Sequence, residues 1–218
     1  MFIGHFAVGF ASKRAAPRTS LGALMAAPLL LDLMWPLALL AGIESVKVDP
    51  GNTAFTPLDL HDYPWTHSLA MSLVWSVLFA LGVLALTRDR RAAAVTGLGV
   101  FSHWILDFVT HRPDMPLWPG SKIYVGLGLW NSRAGTIAVE AAMFAAGVWL
   151  YATTTRARRR AGTVAMWALV LVLVALYVTT VLSPPPPSPR AIAFGGLAAW
   201  IFVPWAWWID RHREVRPS

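Results

Sequence analysis

Six apolar runs, at 21–42, 65–87, 92–110, 135–153, 163–182 and 191–209, constrain this chain more than any other feature. Each has about the 20 residues that a helix needs to cross the hydrocarbon core of a bilayer. Inside that core every backbone polar group must be satisfied within its own segment, so the runs read as helices. The expected fold is all-α, a polytopic membrane bundle of about six transmembrane helices. Charged residues make up only 13% of the chain, against roughly 25% in a soluble domain. That shortage, with 12 Trp, excludes a secreted, disordered or ordinary cytosolic protein. A shorter apolar stretch, 2–12, cannot cross and reads as a half-helix or interfacial helix. The organisation expected is one integral membrane domain over 1–218. Residues 1–150 carry the polar residues of interest, and 151–218 supply two additional spans joined by the stiff Pro184–Pro187 spacer.

The formal charge of +7 would point to nucleic acid in a soluble protein. Here thirteen of the eighteen Lys and Arg gather in four short segments: 13–18, 88–91, 156–160 and 211–216. Six alternating spans put all four on one side, which the positive-inside rule makes cytoplasmic, C-terminus included. Nucleic-acid binding is therefore not expected. The loops 43–64 and 111–134 are then extracytoplasmic. With no Cys, the chain has no disulfide, thiolate zinc site or Cys nucleophile.

Ionisable residues within spans are costly and by default functional. This chain has Asp32, His103, Asp107 and Glu140, and all fall toward the outer half of their spans. Five of the six His lie on that side too. His103 and Asp107, at i and i+4, share one helix face, so both can bind one metal, or the Asp can orient a ligating His; a structural polar clamp is the alternative. Asp32 sits between Pro28 and Pro36, either lining a cavity at the bend or capping amides freed beside it. His5 is either packed or a ligand. In the segment His61–Ser68, Pro64 and Thr66 or Ser68 signal a helix start, placing His67 in the first turn of the second span, where it meets the outer pocket. His111, one turn beyond Asp107, can reach the same pocket. No Walker loop, dinucleotide fingerprint, His-Glu-x-x-His or Gly-x-Ser-x-Gly elbow is present.

Four segments carry a family resemblance: "MFIGHFAVGFASKRAAPRTSLGALMAAPLLLDLMWP" at the start, "THSL" at 66–69, "FSHWILDFVTHRPDMPLWP" at 101–119 and "LGLWNSRAGTIAVE" at 127–140. Over about residues 1–150 the chain resembles the membrane-bound metal-dependent hydrolases, also described as LexA-binding, inner-membrane-associated hydrolases of bacteria. The polar order His5, Asp32, His67, His103, Asp107, His111 is similar to the ligand order of bacterial zinc-dependent phospholipases C. By that likeness Asp32, His67, His103 and Asp107 hold one metal, and Asp107 with His5 shares a second. The later His-x-x-x-Glu pair of those enzymes is missing, so a third metal is not implied.

Together these readings give a metal-dependent hydrolase of the plasma membrane. Nitrogen and carboxylate donors suit one or two divalent ions, zinc first. Asp32 is the expected proton acceptor, and Glu140 a base or the partner of a ligand. Arg112, Lys122 and Arg133, with His61, face the same side and are candidates to receive an anionic head group. A site within the outer leaflet favours a membrane lipid or lipid-linked phosphoester as substrate. Two other classes fit the same residues: a non-catalytic membrane scaffold or regulator with a structural metal, and a proton-coupled transporter.

Overall fold

The computed structural model describes residues 1–217. It is a helical bundle: α1 Ile3–Ala15, α2 Leu21–Leu40, the single turn α3 Pro64–His67, α4 Leu69–Thr87, α5 Arg90–Thr110, α6 Arg133–Thr154, α7 Arg160–Leu182, α8 Pro189–Leu197 and α9 Phe202–Arg211. A 3-10 turn, Ala198–Ile201, joins the last two into one stretch. Among the described residues, six helices are long and apolar enough to cross a membrane: α2, α4, α5, α6, α7 and the composite Pro189–Arg211. Among the described residues, three two-stranded antiparallel ribbons lie outside the helices: β1 Ser45–Val48 with β2 Leu58–Asp62, β3 Met115–Pro116 with β4 Tyr124–Val125, and β5 Thr155–Ala157 with β6 Arg213–Val215, which follows α9.

Side-chain caps mark the helix starts that the sequence offers. Ser20, Ser68, Asp89, Ser132 and Ser188 each accept from backbone N–H groups two or three residues on, satisfying donors that the first helical turn leaves free. Ser68 starts the second span at Leu69. His67 thus ends a separate turn before the span, where a place in the span's first turn was expected; Ser68, in extended conformation, breaks the helix between them.

The short stretch 2–12 is a half-helix, buried and not interfacial. At 13 residues, α1 is about 20 Å long, too short to cross. Packed against α2, α5 and α6, it buries Ile3, His5, Phe6, Phe10 and Lys13. Three helical faces meet there in one apolar core: Ile3, Phe6 and Phe10 of α1; Leu21, Met25, Leu29 and Leu33 of α2; Phe144, Val148 and Tyr151 of α6. Each set repeats at three or four residues, the stripe that a core-facing helix presents. α7 and α9 complete it with Met166, Leu169, Leu173, Phe202 and Ile209. α4, by contrast, buries only Ser72 and presents apolar side chains outward.

Contacts sort the connections into two ends. At one, Arg91 Nε donates to Ala15 O, Lys13 Nζ to Asp210 at 2.8 Å, and Arg158 N to His212 O at 2.9 Å, so the four basic segments lie together. At the other, Phe55 N donates to Trp130 O at 3.0 Å and Arg112 pairs with Asp59, joining the loops 43–64 and 111–134. α1 begins at mid-bundle and runs to the basic end. Its approach to α6 depends on Gly147: a Cβ there would lie 2.4 Å from Ala7 O. Gly147→Val is expected to cost about 1–3 kcal/mol through forced separation of the helices. Thermal unfolding in mild detergent reads this as a melting temperature several degrees lower; an unchanged value would contradict the close approach.

Candidate metal centre

Six predicted residues converge where α1, α2, α3 and α5 meet: His5, Asp32, His67, His103, Asp107 and His111. All but Asp32 are buried, and the half-buried Asp32 carboxylate faces a pocket. His103 Nε2 lies 3.0 Å from Asp107 Oδ2, the i, i+4 pair closing as its spacing requires. His5 Nε2 is 3.1 Å from Asp107 Oδ1, and its ring stacks on His103 at 3.8 Å. His67 Nε2 stands 3.3 Å from His103 Nε2 and 3.5 Å from Asp32 Oδ1. His111 Nε2 is 3.7 Å from Asp107 Oδ2. The Met1 amino group also donates to Asp107 Oδ1.

Acceptors outside the cluster set the orientation of three rings. His103 Nδ1 donates to Pro28 O at 2.7 Å. That contact exists because Gly99, one turn earlier on α5, lets the helix rest on Ala27 and Pro28 of α2. His67 Nδ1 lies 2.7 Å from Thr66 Oγ1, whose own proton goes to Glu44 Oε2 at 2.7 Å. The hydroxyl has one proton to give, so it accepts from His67. Glu44 Oε1 meanwhile accepts from the Trp65 and Thr66 N–H groups and fixes α3. His111 Nδ1 donates to Asp114 Oδ1 at 3.0 Å, an oxygen that also accepts from Tyr63 Oη at 3.0 Å. Burial, with Asp114 beside it, holds the Tyr63 phenol well above its usual pKa, so it remains a donor. In each ring the proton sits on Nδ1 and Nε2 is turned inward.

Nε2 atoms of two rings at 3.3 Å, each with its proton on Nδ1, turn their lone pairs toward each other, an arrangement that a proton or a metal ion between them relieves. Donors about 2.0–2.1 Å from one ion stand about 2.9–3.4 Å apart. The separations of 3.0, 3.1 and 3.3 Å fall in that range, while Asp32 Oδ1 stands farther off, 3.5 Å from His67 and 3.8 Å from His103. Two donor groups emerge, Asp32–His67–His103 and His5–His103–Asp107, with His103 common to both. All are nitrogen or carboxylate oxygen, the set that divalent zinc, manganese or iron accepts.

Glu140 has a different place. Its Oε2 accepts from Phe2 N at 2.9 Å and Gly4 N at 3.2 Å. From α6 it thereby caps α1 and opposes the positive end of that helix. Its Oε1 is buried with no protein partner. Three of the four residues expected to receive an anion are engaged elsewhere. His61 hydrogen-bonds Ser45 on the outer ribbon, Arg112 is held between Asp59 and Asp114, and Arg133 donates to Val181 O. Lys122 is exposed in its loop. Among the described residues, none of these four lines the pocket that reaches the cluster.

Sequence reasoning missed Glu44, Asp114 and Tyr63 as orienting groups. Asp114 carried a signal, three residues after His111. Glu44 carried none, being joined to Thr66 only through the β1–β2 ribbon. Thr66→Val removes the acceptor for His67 Nδ1. Nitrogen-15 spectra of histidine-labelled protein are expected to show a proton on Nδ1 of His67, His103 and His111, with only His67 changed in the variant. A wild-type His67 protonated at Nε2 alone would contradict the assignment.

A family model described as YdjM inner membrane protein matches residues 1–184, and the chain belongs to that family. The match contains the whole cluster and runs beyond residue 150 through α7. Comparison with curated proteins and with solved structures gives no match.

Proposed function

We propose that this member of the YdjM inner membrane protein family is a metal-dependent hydrolase acting on a lipid or lipid-linked phosphoester. One observation carries the reading: two overlapping donor groups sharing His103, buried but for Asp32, lie at the polar end of a mostly apolar pocket. Asp32, His67 and His103 would hold one ion with Asp107; the second oxygen of Asp107, with His5, would serve a second, and His111 stands beside Asp107. Zinc suits this set best. When bound, such an ion supplies Lewis acidity, bringing the pKa of a water to about 7 and polarising a phosphoryl oxygen.

The chain's own residues supply the rest. Asp32 is the carboxylate with its side chain open to the pocket, so it is the proton acceptor for an attacking water. Asp107 balances His5 and His103. Glu140 holds the start of α1, and with it His5, in place. The apolar walls limit the access of other waters to the reacting ester. With the basic end cytoplasmic, the loop end and the pocket face the extracytoplasmic side.

The test begins with metal analysis of protein purified in mild detergent. One or two equivalents of a zinc-type metal are expected. His103→Ala, which removes the ligand common to both groups, is expected to lower the content at least about tenfold. Hydrolysis of phospholipid or polyprenyl phosphate should fall with it. Metal-free wild-type protein would overturn the proposal; metal without turnover of any phosphoester would leave a structural role instead.

A further inference from the structure

The pocket in front of the cluster has a volume of about 510 Å³ and two unlike ends. Asp32, His67, Asp107 and His111 form one; the other is mostly apolar, with Leu176 of α7 and Ile192, Gly195 and Ala199 of the C-terminal stretch among its walls, and the Thr180 hydroxyl there is spent on Leu176 O. The last two spans thus do more than fill the bundle. The α8 wall is also anchored. Ser188 caps its start, and Trp200 Nε1 donates to Leu33 O of α2 at 3.1 Å at its end.

Two adjacent glycines in this wall have opposite surroundings. A Cβ on Gly196 would meet Pro36 Cγ at 2.6 Å, so the missing side chain lets α8 lie against α2. A Cβ on Gly195 would meet nothing within 4 Å, although Gly195 borders the pocket. Glycine is not needed there for packing; Gly195 is exposed where it borders the pocket, so a larger side chain has room to enter it. Ile192, Gly195, Gly196 and Ala199 recur at three or four residues, giving one α8 face. Their side chains offer no hydrogen-bonding group. A peptide lying on this face would leave its amides unsatisfied, whereas a hydrocarbon chain loses nothing.

We propose that α7 and the Ile192–Ala199 face form the binding wall for the apolar chain of an amphiphilic substrate, and that Gly195 sets how much chain can enter. The head group as a phosphoester rests on the hydrolase reading; the chain wall rests on the pocket alone. The polar end lies within the family match and the α8 wall beyond it. The α8 part of the chain wall therefore comes from a part of the sequence that the match does not cover, and the α7 part from within it.

The probe is a dodecylphosphonate carrying a diazirine at the chain end, photolysed with the full chain in detergent and mapped by peptide mass spectrometry. Labelling is expected to concentrate on 189–202 and Leu176. Excess dodecylphosphonate should compete for it and ethylphosphonate should not. Gly195→Leu fills the space of about three methylenes, each worth roughly fourfold in binding, and is expected to reduce labelling roughly tenfold or more. Ala199→Leu, one turn along the same face, should act alike, and Gly195→Ala should retain most labelling. Labelling spread evenly over the outward faces, α4 included, or unaltered by both leucine variants, would overturn the proposal. Metal content separates the two readings. Focused labelling of metal-free wild-type protein overturns the hydrolase reading alone, and diffuse labelling of metal-replete protein overturns the wall alone.

Discussion

The structure depends on a buried charge that cannot be left as it stands. Two carboxylates and four imidazoles meet inside an apolar bundle, and uncompensated carboxylates there cost several kcal/mol each. Asp107 meets the Met1 amino group and the imidazoles of His5, His103 and His111, and Asp32, open to the pocket, meets His67. The surrounding architecture brings these groups together. α1 stops at mid-bundle and delivers His5; Pro28 and Pro36 interrupt the backbone hydrogen bonding of α2 on either side of Asp32; α5 carries His103, Asp107 and His111 on successive turns.

Around the donors lies a ring of groups that do not touch the centre. Pro28 O, the Thr66 hydroxyl and Asp114 each take an Nδ1 proton, and Glu44 and Tyr63 in turn hold Thr66 and Asp114. Such support fixes tautomer and ring plane, and with them the direction of each Nε2 lone pair. Glu140 belongs to this supporting layer by its contacts, since its carboxylate caps α1. A residue that reads from sequence as a base or the partner of a ligand is in the fold a clamp on the helix bearing His5.

Much of this was legible because membrane helices obey few rules. Length and apolarity located the spans, and the i, i+4 spacing of His103 and Asp107 put them on one face. The unusual presence of charge in apolar runs singled out Asp32 and Glu140. What stayed hidden depends on long-range approach. Glu44 reaches Thr66 through a ribbon whose pairing no periodicity announces. Arg112 seemed free to receive an anion, yet Asp59, distant in sequence, already neutralises it. The pocket wall at Ile192–Ala199 was invisible for a related reason. A small-residue face reads the same whether it meets a helix, as Gly196 does, or borders empty space, as Gly195 does.

The most direct measurement of the central claim is X-ray absorption at the metal edge of the purified, detergent-solubilised protein. The account predicts a shell of nitrogen and oxygen at about 2.0–2.1 Å with the outer scattering of imidazole, and no sulfur. A sulfur-containing shell, or no absorption edge above the buffer, would contradict it.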